Sequence, residues 1–529
     1  MFYEGEPVAE NVQQMLRDRL EDDGTAIATP ERTWTWREHL AEASAEAAAV
    51  LAVLDREHAP HVGTLLGNSP AMLRAMAGAG LAGYVLCGIN TTRRGEGLAA
   101  DVRRAECQVL LTDAEHLPLL EGVDLGGVRV VDVDSDAWAQ EVSAAGALAP
   151  LREVEAMDTF MMIFTSGTSG DPKAVQVAHL MVLFSGLNLV DRFSMTSDDV
   201  CYLSMPLFHS NAVVAGWAVA VGCGATMVPT RFSASRFLED VRRYGVTYMN
   251  YVGKPLAYVL ATPERDDDAD NTLRVAFGNE ASDRDIAEFA RRFDCEVTDG
   301  FGSTELAIII LREPGTPPGS IGKGMDGVAI YDAETVTECP VARFDEHGAL
   351  LNADEAVGEL VNTTGGGYFQ GYYNDPDANA DRMRYGMYWS GDLAYKDADG
   401  WIYLAGRTAD WMRVDGENLA AGPIERILQR LPALNRVAVY AVRDDRVGDQ
   451  VMAAMVLNEG EKVSQAEFEA FLREQPDLSP KAWPRYVRIN HDLPATATNK
   501  VLKRELMAQG VSAGDGELWT REERGTAYA

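Results

Sequence analysis

Positive charge is scarce in this chain: 47 Lys and Arg stand against 81 Asp and Glu in 529 residues, a formal net charge of -34. So acidic a surface excludes nucleic acid or an anionic membrane as the main partner, because such polyanions are held by basic surface. Cysteine is sparse as well. The six cysteines form no C-x-x-C pair, which argues against a disulfide framework or zinc knuckle and for a reducing compartment. The eight histidines include no H-E-x-x-H, so a zinc-hydrolase signature is missing. The opening MFYEGEPVAEN lacks the basic and apolar regions of an export signal, and the expected location is the cytoplasm. The uncharged stretch between His209 and Arg231 is broken by Gly216, Gly222 and Gly224. It reads as a buried helix followed by a strand, not as a stable membrane insertion.

What remains is a chain with 47% hydrophobic residues, long enough for two or more domains with large cores. Up to about residue 150, Ala-rich helical stretches such as LAEASAEAAAVLAVL (40–54) alternate with short strands such as HVGTLLG and CQVLLTD. That alternation predicts an α/β fold. The texture continues through VTYMNYVG, LRVAFGNEAS and CEVTDGFGSTE, whose strands end in glycine-bearing loops, where open α/β sheets collect ligands. From about 320 to 408 the pattern turns to β, with VGELVNT and GWIYLAGR, and a compact α+β set follows. The predicted organisation is a large N-terminal domain, 1–409, of α/β subdomains plus a β-rich subdomain, and a small α+β C-terminal domain, 410–529.

Between the strand-like FMMIF (160–164) and AVQVAH (174–179) lie six consecutive hydroxyl or glycine residues, Thr165, Ser166, Gly167, Thr168, Ser169 and Gly170, and then Lys173. Glycines let successive amides turn inward, hydroxyls add donors, and the lysine adds a point charge. Together they make an anion nest. It is not a Walker loop, since Pro172 precedes the lysine and Ala174 follows it.

Taken in order, TSGTSGDPK (165–173), GFGSTE (300–305), YWSGDLA (388–394), GRTADWMRVDGENL (406–419) and PATATNK (494–500) resemble the core motifs of the adenylate-forming superfamily of acyl-CoA synthetases, peptide-synthetase adenylation domains and luciferases. FGNEAS, DGFGSTE and GYYNDPDANADRMR look most like the bacterial fatty-acid-degradation ligases, some of which act on steroid side chains. The resemblance implies two half-reactions: a carboxylate attacks the α-phosphate of ATP and expels pyrophosphate, then the thiol of coenzyme A attacks the acyl-AMP. It assigns the loop 165–170 and Lys173 to the β- and γ-phosphates, Thr304 to the α-phosphate and Glu305 to Mg2+. Gly278, Asn279, Glu280, Asp299 and Phe301 would meet adenine, with Gly300, Gly302 and Ser303 among the other ATP-binding residues. Phe301 stands where the family usually has tyrosine. Asp392 and Arg407 would hold the ribose, and His209 would gate the carboxylate channel. Lys500 would bridge the acyl carboxylate and the α-phosphate, on a C-terminal domain that rotates about Asp410 so that Gly416 faces the CoA tunnel. Asn499 replaces the usual glycine before that lysine.

Residues 206–230 contain no Asp or Glu that would bind an amino group, so a hydrophobic carboxylic acid is the expected substrate, a long-chain fatty acid or a steroid side-chain acid. An acyl-AMP ligase serving a carrier protein and a catalytically silent ATP-binding homologue are the alternatives. The acid itself, the residues gripping the CoA phosphates, a homodimeric state and any acetylation of Lys500 are left open.

Overall fold

The computed structural model describes residues 9–165, 172–346, 350–407, 411–414, 417–444, 448–478, 480–495, 501–512, 516–522 and 525–529. Ser166, Gly167, Thr168, Ser169, Gly170, Asp410, Gly416 and Lys500 lie outside them. The chain divides into two compact units, Met1–Ala307 with Gly366–Asp381, and Ile308–Gly365 with Arg382–Ala529.

The first unit contains strands β1 (Thr25–Ala28), β2 (Thr33–Thr35), β3 (His61–Leu65), β4 (Val85–Gly88), β5 (Val109–Thr112), β6 (Arg129–Asp132), β7 (Thr159–Thr165), β8 (Lys173–Ala178), β9 (Val200–Leu203), β10 (Thr226–Pro229), β11 (Tyr248–Val252), β12 (Val275–Asn279) and β13 (Glu296–Gly302). One sheet runs β6-β5-β3-β4-β7-β8, and a second contains the path β13-β12-β11-β9-β10-β1-β2. Within these paths pairing is parallel except at β7·β8 and β1·β2. Strands such as β3, β4 and β5 are buried throughout, as parallel strands covered on both faces must be. The Ala-rich stretch forms the helix Trp36–Val53, started by a capping box in which Thr35 and Glu38 satisfy each other's backbone amides.

The stretch after His209 folds as helix and then strand, as its pattern predicts, with one feature that no periodicity reveals. Between the helical turns Ser210–Ala212 and Ala218–Cys223, residues Val213–Trp217 form a π-helical turn before β10. The Tyr248 hydroxyl donates to the Ala215 carbonyl there at 2.7 Å. Among the described residues no helix is long and apolar enough to cross a membrane.

In the second unit an antiparallel sheet is ordered Gly322–Lys323, Trp401–Arg407, Met387–Lys396, Gly358–Asn362, Val328–Asp332, Thr337–Glu338. The α+β portion pairs Leu434–Asp444 with Gly448–Leu457, and Met412, Ile424, Leu428, Val439, Phe468 and Trp519 share its core.

His39, on the helix Trp36–Val53, is fully buried with neither ring nitrogen hydrogen-bonded, and burial holds its imidazole down to about 3. Burial likewise lowers His179 and His209 to about 4. The unfolded chain takes up these protons below the ordinary value of 6.5 while the folded chain refuses them. Their contribution to stability is therefore full above that value and declines as the solution is acidified toward 4 and 3. His39→Leu is expected to lose less melting temperature than the wild type between about pH 7.5 and pH 5, a range within which keeping the histidine neutral becomes costly. Equal losses in scanning calorimetry would show that His39 titrates normally.

Candidate active site

The Ser/Thr/Gly loop is the connection of a β-hairpin. Thr165 at the end of β7 pairs with Lys173 at the start of β8, so the two strands hold both ends of residues 166–171 in register. Arg104 reinforces the far end, its guanidinium donating to the Pro172 carbonyl. Burial fixes both strands: Phe160 to Phe164 are buried in succession, Ala174, Val175, Val177 and Ala178 are buried too, and Thr165 and Lys173 are half-buried at the strand ends.

Lys173 and Glu305, distant in sequence, are joined by a residue that sequence reasoning did not single out. Tyr372 is buried beside β8, where Val175 bridges to it, the Gln176 amide donates to Gly371 and the Tyr373 amide donates to Ala174. Its hydroxyl donates to Glu305 Oε1 at 2.7 Å, and Lys173 Nζ lies 5.1 Å from its ring centroid. A ring face attracts a cation electrostatically without donating or accepting a proton. Glu305 is only 7% exposed.

Beside it, the Thr304 hydroxyl is hydrogen-bonded to Ser210 Oγ at 3.1 Å. That contact ties the segment after β13 to the residue following His209. His209 is half-buried, with its Nε2 buried and unpartnered, and an imidazole held down to about 4 by burial is a poor general base near neutrality.

The ends of β11, β12 and β13 form the next wall. Asn279 and Gly300 are register partners, and Asn279 Nδ2 donates to the Gly300 carbonyl at 2.7 Å. Gly278 is required by close approach: a Cβ there would sit 2.3 Å from the Tyr251 carbonyl oxygen and 2.5 Å from its ring. Glu280 turns the chain with a left-handed φ of 66°, a strained conformation of the kind that collects at strand ends where ligands bind. Asp299 accepts from the Tyr251 hydroxyl at 2.9 Å and from the Ala281 amide at 3.2 Å, so it also fixes the 280–281 turn. Phe301, Gly302 and Ser303 continue from β13 toward Thr304 and are partly or fully exposed.

In the second unit, Asp392 and Arg407 face each other across Met387–Lys396 and Trp401–Arg407, with Arg407 Nε 2.8 Å from Asp392 Oδ1. Asp392 is itself held by the tight turn before it, its amide donating to Ser390 Oγ at 3.0 Å, while the Gly391 amide donates to Glu359 Oε1 at 2.7 Å. The pair presents an acceptor and a donor side by side, as a diol requires.

Among the described residues no group of three His, Cys, Asp or Glu side chains could hold a metal ion by itself. Mg2+ takes one or two carboxylates and completes its shell with other oxygens and water, and Glu305, a buried carboxylate with one oxygen held by Tyr372, fits such a donor.

The Thr165–Lys173 register pair, the Tyr372–Glu305 contact and the strand ends at Gly278 and Gly300, set on largely parallel α/β sheets, fit the class of adenylate-forming enzymes. The chain belongs to the AMP-binding enzyme family: the family's model matches residues 17–373 and that of the AMP-binding enzyme C-terminal domain matches 423–500. Medium/long-chain-fatty-acid–CoA ligase FadD17 of Mycobacterium marinum is 51% identical over 95% of this chain and 97% of its own length. Steroid-22-oyl-CoA synthetase of Rhodococcus jostii is 46% identical over 94% and 91%. Among solved structures, o-succinylbenzoate CoA synthetase of Bacillus subtilis with its acyl-adenylate superposes with a TM-score of 0.77 at 25% identity, covering 96% of this chain and 99% of that one. ATP-bound MatB from Rhodopseudomonas palustris gives 0.82 at 22% identity over 94% and 99%, a likeness of fold.

Proposed function

We propose that this chain is an ATP-dependent acyl-CoA ligase that adenylates a hydrophobic carboxylic acid and transfers the acyl group to coenzyme A. The acid would be a medium- or long-chain fatty acid or a steroid side-chain acid. One observation carries the reading: a relative of 51% identity across nearly the whole chain is a medium/long-chain-fatty-acid–CoA ligase. The uncharged, buried segment Val213–Val221 after His209 agrees, since an α-amino acid would need a carboxylate near its ammonium.

In the first half-reaction two anions must meet, so positioning and charge neutralisation supply most of the catalysis. Lys173 and the hairpin loop hold the β- and γ-phosphates, which leave as pyrophosphate. Thr304, steadied by Ser210, donates to the α-phosphate. Asp392 accepts from the ribose hydroxyls and Arg407 holds it for that task. Mg2+, when bound at Glu305, offsets charge on the triphosphate. Lys500 would bring a cation to the attacking carboxylate. In the second half-reaction the CoA thiol displaces AMP from the acyl-AMP, and a C-terminal domain turning near Asp410 would exchange Lys500 for Gly416. The enzyme would work in the cytoplasm, with a homodimer as one assembly open to it.

With ATP, Mg2+ and CoA, dodecanoate, palmitate or a steroid side-chain acid is expected to be consumed at least about ten times faster than acetate or any α-amino acid, the discrimination of one or two buried methylenes. Equal CoA consumption with acetate, or a preference for an amino acid, would overturn the substrate class. Pyrophosphate release without CoA consumption would instead favour an acyl-AMP ligase.

A further inference from the structure

A directed chain of side-chain amides crosses the first unit from the acyl side to the nucleotide side. Asn250, on β11, donates from Nδ2 to Asn211 Oδ1 at 2.7 Å. Asn211 donates to Asn279 Oδ1 at 3.0 Å, and Asn279 donates to the Gly300 carbonyl at 2.7 Å. Every donor points the same way. Asn250 is fully buried, Asn211 is 9% exposed, and they come from a helical turn and three neighbouring strands rather than from one loop.

Two details indicate that the chain is more than packing. Asn250 Oδ1 has no hydrogen-bond partner, and a buried carbonyl left so is destabilising, which an apolar side chain would avoid. The π-helical turn also makes room for that amide. A Cβ on Gly216 would lie 2.9 Å from Asn250 Oδ1, so glycine at the turn and asparagine on β11 are fitted to each other. The same segment is anchored twice more, by Ser210 to Thr304 and by the Tyr248 hydroxyl to Ala215. Residues 209–217 are thereby tied to both nucleotide-side segments, Thr304 and Gly300, by side-chain hydrogen bonds alone.

We propose that Asn211, oriented by Asn250, is a positioning residue that couples occupancy of the acyl site beside His209 to the affinity for ATP, through the Asn250–Asn211–Asn279 chain ending on Gly300. An acid that shifts the 209–217 segment moves Asn211, and Asn279 then moves the Gly300 carbonyl at the adenine wall. Coupling is reciprocal, so ATP must change acid affinity by the same factor. The inference rests on the acyl-CoA ligase reading.

The test uses the full chain with dodecanoate and α,β-methylene-ATP, an analogue that cannot release pyrophosphate, titrated calorimetrically with and without each other. The wild type is expected to bind the nucleotide about 5-fold or more differently when dodecanoate is present, the lower end of measured coupling factors. Asn211→Asp keeps the shape and the acceptor facing Asn250 but sets a second acceptor against Asn279 Oδ1. It should abolish the coupling factor in the folded protein while the dodecanoate affinity measured alone stays as in the wild type; a lower melting temperature is expected from the two buried acceptors set against each other and does not decide the proposal. Asn211→Ala, which leaves Asn250 Nδ2 and Asn279 Oδ1 without that partner, should also abolish the coupling factor at a cost in melting temperature, and serves if the aspartate variant folds poorly. Wild-type coupling in either folded variant, or none in the wild type, overturns the proposal. A wild-type chain that binds neither dodecanoate nor the nucleotide overturns the ligase reading itself.

Discussion

Glu305→Gln is expected to lower acid-dependent pyrophosphate release by about 10²-fold or more at saturating Mg2+, the scale of losing one electrostatic contact to a developing phosphate charge. Glutamine is the informative replacement. Glu305 is buried and accepts the Tyr372 hydroxyl, so Glu305→Ala would also orphan that donor and add a stability cost of about 1–3 kcal/mol. Glutamine keeps an acceptor for Tyr372 and removes only the charge. Calorimetric melting should therefore be close to wild type while adenylation collapses, and the apparent affinity for Mg2+ should fall with it. Turnover within a few-fold of wild type at saturating magnesium would remove Glu305 from the metal site. The position of Lys173 over the Tyr372 ring makes a second distinction available, because the lysine's contact does not depend on the carboxylate charge. Loss of the Mg2+ dependence with retained binding of the nucleotide would place the defect at the metal and not at the loop.

The elements that a linear reading captured are those whose signal is local. Strand-like segments on either side of Thr165–Gly170 predict two ordered elements joined by that stretch, and the structure adds that β7 and β8 pair antiparallel; strands ending in glycine-bearing loops match the ends of β12 and β13 at Gly278 and Gly300. The helix-then-strand reading of residues 210–230 holds because burial, glycine spacing and absence of charge are all visible in sequence. The features that escaped it are tertiary. Tyr372 joins Lys173 to Glu305 from 67 positions beyond the glutamate, and its motif draws notice without saying which of two adjacent tyrosines turns inward. The Asn250–Asn211–Asn279 chain spans 39 and 68 positions, and an asparagine on a buried strand carries no sign of its partner. Likewise the π-helical turn depends on the Tyr248 hydroxyl taking the Ala215 carbonyl, a contact set by β11 and not by the turn's own residues. The reading of Asp299 as an adenine contact overlooked its local work, since the Ala281 amide and the Tyr251 hydroxyl reach it only once β11, β12 and β13 are side by side.

Lys500→Ala and Gly416→Leu are expected to fail in opposite half-reactions. Both residues belong to the C-terminal portion, and the match to the AMP-binding enzyme C-terminal domain runs to residue 500. Lys500→Ala removes a cation from the transition state in which carboxylate and α-phosphate meet, so acyl-AMP formation should fall by about 10²-fold or more. Thioester formation from supplied acyl-AMP and CoA should persist, because no anion pair has to be brought together in that step. Gly416→Leu should show the reverse. A branched side chain in the thiol's path leaves the phosphate contacts intact, so pyrophosphate appears in a single burst and acyl-AMP accumulates on the enzyme while CoA consumption falls. Pyrophosphate release and CoA consumption are measured separately for each variant, with melting curves to confirm folding. One site cannot hold the lysine and admit the thiol along the same path at once, so separable defects are the signature of a domain that alternates between two positions. Parallel loss of both steps in both folded variants would leave the enzyme class standing and remove the alternation.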